Sequence, residues 1–259
     1  MTANEKTTGI LSGNVIKYIA AVFMLIGHTF DYLTNYSVLT GPVWPIFIGM
    51  VAMVAPPVFF FFIAEGFIYT RSAGKYAIRL LILAVVTQIP EMLARFGTIF
   101  IPAQSFFLNV VFELLFGLLA LMLWESNAKL PLKVAGIAGL LAVSFLKAEW
   151  PLGLIIILIF HIFRDKPVLR TVLFILAAFM STFGLYLLHG YWDMFIKCLT
   201  VKGMFINNAV CFLYCIIGYI LVTLFYSGER GRNSAFSKWF FYVFFPVQWL
   251  LIFGLMKIF

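Results

Sequence analysis

The sequence predicts an all-α polytopic membrane protein, and three observations carry that expectation. Of its 259 residues, 64% are hydrophobic and only 11% are charged. The mean hydropathy is +1.06. The apolar residues fall into segments near the length, about 20 residues, that a helix needs to cross a bilayer. Soluble domains run nearer half apolar and a quarter charged. This composition excludes a cytosolic enzyme, a secreted disulfide scaffold and a disordered tail. The 31 Phe argue against nucleic-acid binding despite a net charge of +8. In a membrane chain that surplus is loop charge that sets topology. No stretch between the apolar segments is long enough for a soluble domain. Residues 1–259 are therefore expected to form a single transmembrane domain.

Nine segments qualify as spans, some of them short: 15–34, 44–69, 76–94, 107–124, 131–146, 151–163, 168–188, 207–227 and 239–258. The first follows Lys17 and is not closed by a small-residue cleavage site, so it reads as a retained span. The second carries Pro56 and Pro57 and is expected to be broken. Such breaks survive only where protein or a wet cavity satisfies the freed backbone groups. The fifth and sixth are separated by a tight turn around Lys147-Ala148-Glu149-Trp150-Pro151.

Loop charge then predicts orientation. With the N-terminus inside, the inner segments hold Lys6, Lys17, Arg71, Lys75, Arg79, Lys129, Lys133, Arg164, Lys166, Arg170, Arg230, Arg232 and Lys238. The outer segments hold Arg95, Lys147, Lys197, Lys202 and Lys257. The positive-inside rule then gives nine spans with the C-terminus outside. Eight spans would put it inside. No internal repeat points to a transporter's inverted halves.

Ionisable groups at membrane depth are costly and stand as functional candidates. His28 lies in the first span, with Asp31 three residues on and on the same helix face. An acid so placed fixes a tautomer and raises basicity; the plainer alternative is a histidine bonded to a backbone carbonyl. Glu65, Thr70, Arg71, Lys75 and Arg79 gather an acid, a hydroxyl and three cations within fifteen residues. Cations at that density suit the phosphates of a nucleotide-like ligand. The plainer alternative is an ordinary inner loop in which Glu65 pairs with Arg79. Asn109 and Glu113 are one turn apart, and Glu113 needs a partner or a proton. His161 and His189 read as interfacial structural residues. Cys198, Cys211 and Cys215 form no CxxC pair and no zinc cluster, so no metal is expected. There is no GxSxG, HExxH or Walker loop.

Several strings resemble the TraX family of membrane proteins. They are Val15-Ile16-Lys17 through Met24-Leu25-Ile26-Gly27-His28; Pro57 through Phe67 with Thr70-Arg71, Lys75-Tyr76 and Arg79-Leu80; Gln88-Ile89-Pro90; Asn109 through Gly117; Glu149-Trp150-Pro151-Leu152-Gly153; and Phe241 through Gln248. Their order and spacing agree from the first span to the last. The resemblance implies an acetyltransferase that takes its acyl group from acetyl-CoA at a bacterial inner or plasma membrane. The acceptor would be a peptide N-terminus or a saccharide. His28, Asp31 and Glu149 are the implied catalytic residues. Glu65, Thr70, Arg71, Lys75, Arg79 and Asn109 are the implied donor-binding residues. Two positions depart from the family: its Asp before the first-span histidine is Gly27 here, and its last-span histidine is Gln248. A non-enzymatic binding, transport or assembly protein is the alternative these departures favour.

Overall fold

A computed structural model describes residues 9–35, 44–100, 107–147, 151–232 and 234–258. Among them the regular structure is helical. It comprises α1 (Gly13–Asn35), α2 (Trp44–Gly49), a 3-10 segment (Met50–Val54), α3 (Ala55–Tyr69), α4 (Ala73–Phe96), α5 (Val110–Trp124), α6 (Leu130–Lys147), α7 (Gly153–Ile162), α8 (Pro167–Thr182), α9 (Leu185–Leu188), α10 (Trp192–Thr200), α11 (Lys202–Leu224) and α12 (Ala235–Ile258).

Every predicted segment contains a helix, but the helices are not equally long. Among the described residues, five stretches are long and apolar enough to span: Gly13–Leu33, Phe47–Tyr69, Ala73–Phe96, Lys202–Leu224 and Trp239–Ile258. Val110–Trp124, Leu130–Leu146, Gly153–Ile162 and Pro167–Thr182 are apolar but shorter. At about 1.5 Å per residue, a 15-residue helix reaches roughly 22 Å, short of a hydrocarbon core of about 30 Å. The segment expected over 168–188 stops at Thr182. The one expected from 207 begins at Lys202. The second segment is broken, though not at its prolines. The irregular turn is the 3-10 segment, and Pro56 and Pro57 fall in the first turn of α3. A missing N–H costs nothing there, because first-turn donors have no partner inside the helix.

The chain forms two compact units: residues 1–59 with 182–241, and residues 60–181 with 242–259. In the first unit, α1 packs on α2 and on the 3-10 segment, which also packs on α11. Glycines let these backbones approach. A Cβ on Gly27 would stand 2.6 Å from Ala52 Cβ and from Gly49 O. One on Gly218 would collide with the Val54 carbonyl. An extended stretch just before α1 bonds to the loop after α11. Leu11 N–H donates to Phe225 O (2.8 Å), Ser227 N–H to Leu11 O (2.9 Å), and Gly13 N–H to Glu229 O (2.8 Å). Asn14 Nδ2 donates to Arg232 O (2.9 Å).

In the second unit, α5 packs on α4, α6 and α7. Ser72 caps α4, its hydroxyl accepting from Lys75 N–H at 3.3 Å. Gly97, at φ 69°, ends the same helix in the left-handed conformation that glycine adopts without steric cost. Asn109 caps α5, accepting Val111 N–H at 3.0 Å.

Candidate functional site

His28 and Asp31 lie on α1 in the first unit. His28 is half-buried and Asp31 exposed, and each is engaged by neighbouring groups. Gly27 lies directly against the 3-10 segment, and no side chain fits there without moving backbone. Asp31 also lies within electrostatic range of Cys211 on α11.

The cation block lies in the second unit. Arg71, Lys75 and Arg79 are exposed at and just before the first turns of α4. The Arg79 guanidinium carbon sits 5.8 Å from the centre of the Tyr76 ring. Thr70 Oγ1 donates to Ser72 O at 3.4 Å and so shapes the turn into the helix. A helix N-terminus presents unpaired N–H groups and positive potential, and three added cations make it a good place for an anion. Glu65, near the end of α3, is 8% exposed. It pairs with Arg164 across 3.1 Å, a partner that the spacing around Arg79 did not indicate.

Asn109 is fully buried. Its Oδ1 caps α5, and its Nδ2 donates to Ala84 O (2.8 Å) and Gln88 Oε1 (2.9 Å). Gln88 Nε2 in turn donates to Phe107 O at 2.8 Å. These bonds tie α4 to the start of α5 and use the amide for structure. Glu113, one turn on, is also fully buried. Its Oε2 accepts from the Ser144 hydroxyl of α6, and its Oε1 accepts from Leu154 N–H of α7 at 2.6 Å. Leu152 offers α7 no side-chain cap, so a carboxyl from α5 supplies it. Gly153 makes this possible, since a Cβ there would stand 2.6 Å from Glu113 Cγ.

His161 Nε2 lies 2.9 Å from Glu125 Oε1, and its ring meets Phe67 edge-on at 5.5 Å. His189 Nδ1 contacts Leu185 O at 2.9 Å. Glu149 lies outside the described residues. Among the described residues, no group of three or more His, Cys, Asp or Glu is placed to hold a metal ion.

The structure therefore brings Arg71, Lys75 and Arg79 together at one helix start, with Glu65 and Asn109 elsewhere in the same unit. His28 and Asp31 belong to the other unit. Sequence reasoning missed Ser144, Gln88, Glu125 and Arg164 as polar partners. Only the Asn109–Glu113 spacing pointed towards any of them. It also missed the Glu91–Arg95 pair, whose i,i+4 spacing was the available signal.

Apolar helices of spanning length, with buried polar bonds between shorter ones, define a multi-pass helical membrane protein. More particularly, the chain belongs to the TraX family, whose model, described as TraX protein, matches residues 12–257. It is similar to the probable fimbrial assembly protein FimC, serogroup H1, of Dichelobacter nodosus. The two are 29% identical over 216 residues, covering 80% of each chain. No solved structure matches it.

Proposed function

We propose that this protein is a membrane-embedded acetyltransferase that takes an acetyl group from acetyl-CoA and passes it to an amine or hydroxyl acceptor. The observation that carries the reading is the exposed cation trio Arg71, Lys75 and Arg79 at the start of α4. In a chain with so few charges, it is a surface suited to the phosphates of CoA. The orientation expected from loop charge would put that helix start on the cytoplasmic side, the side of acetyl-CoA. Thr70 shapes the turn into that helix start, and Glu65 is paired with Arg164. Asn109 is left out of the donor contacts, because its amide is committed to Ala84, Gln88 and Val111.

In the reaction, the acceptor nitrogen or oxygen attacks the thioester carbonyl carbon. A C–N or C–O bond forms and the C–S bond breaks. His28, with Asp31 one turn on, takes the acceptor's proton. That proton passes finally to the CoA thiolate. Acetyl-CoA calorimetry on detergent-purified protein tests the donor site. Arg71→Ala/Arg79→Ala is expected to weaken binding at least tenfold, and unchanged binding sinks the cation-site reading. His28→Ala is expected to lower transfer at least a hundredfold while donor binding stays intact. Full transfer in that variant removes His28 as the base.

The second reading is a non-enzymatic assembly protein. It is favoured by the name of the Dichelobacter nodosus relative and by the presence of Gly27 and Gln248 at the departing positions. Absence of acetyl-CoA binding at millimolar ligand would select it.

A further inference from the structure

The residues of α10, Trp192–Thr200, fall into three stripes. Trp192, Ile196 and Leu199 recur at spacings of four and three, which puts them on one face of the helix. Asp193, Lys197 and Thr200 repeat those spacings one residue on and line the next face. Met194 and Cys198 line the third. The three faces have different surroundings. Cys198 is fully buried and Met194 half-buried, so the third face is turned into the first unit, where α10 packs on α9 and α11. The polar face is exposed along its length. The apolar face is exposed as well: Trp192 stands 63% exposed, Ile196 47% and Leu199 40%. Packing accounts for the buried face and water for the polar one, but neither accounts for the exposed apolar face.

The place of α10 in the chain supplies the reason. Val201 is extended (φ −82°, ψ 112°), and the next residue, Lys202, begins the spanning stretch of α11. One non-helical residue therefore breaks the helix between α10 and a span. As a continuation of that span, α10 would carry Asp193 and Lys197 into hydrocarbon, where ionised groups are costly. Turned aside, it keeps them in water. Asp193 lies in the first turn and Lys197 in the last, the arrangement that complements the helix dipole. Thr200 Oγ1 donates to Ile196 O at 2.8 Å. Tyr191, which precedes the helix, is exposed beside Trp192, and Tyr and Trp are the residues that gather at a membrane boundary. The apolar surface also continues along the chain: exposed Val201 follows Leu199, and exposed Phe205 and Ile206 open the spanning helix.

We propose that α10 is an interfacial helix that lies in the plane of the membrane against phospholipid. Its Trp192–Ile196–Leu199 face sits at the boundary between headgroups and acyl chains, at a depth of about 5–10 Å. Its Asp193–Lys197–Thr200 face meets water. Phospholipid is the occupant because the exposed stripe is short and flanked by charge. Three side chains fall well short of the roughly 800 Å² per partner of a stable protein interface. A helix with one apolar and one charged face is what a membrane surface binds. So placed, α10 fixes the depth at which α11 enters the bilayer. The inference does not rest on the transferase reading.

Nitroxide labels at 192, 193, 196, 197, 199 and 200 test it, on the full chain in phosphatidylcholine vesicles. Each label sits on a single introduced cysteine, in a background carrying Cys198→Ala, Cys211→Ala and Cys215→Ala. The readout is the ratio of collisions with oxygen, which concentrates among acyl chains, to collisions with a water-soluble nickel chelate. That ratio is expected to be roughly threefold or more higher on the apolar stripe than on the polar one. Low ratios on both stripes put the helix in water and overturn the proposal. High ratios on both put it inside the hydrocarbon and overturn it equally. Apolar-stripe labels that are shielded from both reagents and broadened by one another identify a second copy as the occupant, again against it. If the cysteine-free background does not fold, Trp192→Phe in the native chain decides. Quenching of tryptophan emission by phosphatidylcholine brominated near its headgroup is then expected to fall more than quenching by phosphatidylcholine brominated near its chain ends. Equal losses, or none, overturn the proposal.

Discussion

The two units hold their helices by opposite means. In the first, α1 and α11 meet the 3-10 segment through glycine. Gly27 and Gly218 bring backbone to within van der Waals reach of Ala52 and Val54. In the second, α5, α6 and α7 are joined by a buried carboxyl. Glu113 accepts from Ser144 and from Leu154 N–H. Lipid tails are as apolar as leucine, so helices gain little by hiding apolar faces from them. Close packing of small residues and interhelical hydrogen bonds take over that role. The difference teaches that one junction has no room for a side chain and the other has no room for an unmet donor.

Substitutions separate these demands. Gly27→Asp, which introduces the acid that the resemblance implies at this position, is expected to have the largest effect. It forces backbone apart at a close-packed crossing, about 1–3 kcal/mol for the overpacking alone, and adds the cost of a carboxylate pressed into that crossing. No monodisperse protein is expected by size-exclusion chromatography. A well-folded Gly27→Asp variant would show that the crossing gives way easily. Glu113→Leu comes next. It leaves Leu154 N–H unmet at the start of α7 and is expected to cost about 2–4 kcal/mol, read as a drop in thermal midpoint. Glu113→Gln keeps an accepting oxygen and should recover about half of that loss; if it melts like Glu113→Leu, hydrogen bonding is not what Glu113 supplies. Ser144→Ala is the mildest, about 1 kcal/mol. If Ser144→Ala proves as harmful as Glu113→Leu, the hydroxyl and not the carboxyl organises the junction.

The helical fold was legible because composition and segment length follow directly from the bilayer as solvent. Local chemistry was less legible: Asn109 was expected among the donor-binding residues, whereas the structure makes it the cap of α5, and Ser72 caps α4. Partners brought together by packing were not legible. Ser144 lies 31 residues from Glu113, and Arg164 lies 99 residues from Glu65. Nothing in the spacing of either pair specifies the meeting. The resemblance marked Gly27 as a lost acid. Only the structure shows that a side chain there would collide with Ala52, which leaves no trace in the sequence around Gly27. The shorter apolar helices of 10–17 residues showed the opposite limit. Apolar composition found them, but length alone does not decide whether a helix reaches both faces.

The bonds between residues 11–14 and the loop after α11 impose an order on biosynthesis. The first unit is assembled from two stretches of chain, and the 122 residues from Phe60 to Ser181 lie between them. At roughly 5–20 residues per second, making that insert takes roughly 6–24 s. Throughout that time α1 sits in the membrane with its closing strand partner not yet made. The early half must therefore wait, held by the glycine crossing between α1 and the 3-10 segment, until the ribosome delivers Phe225 and Ser227 to Leu11.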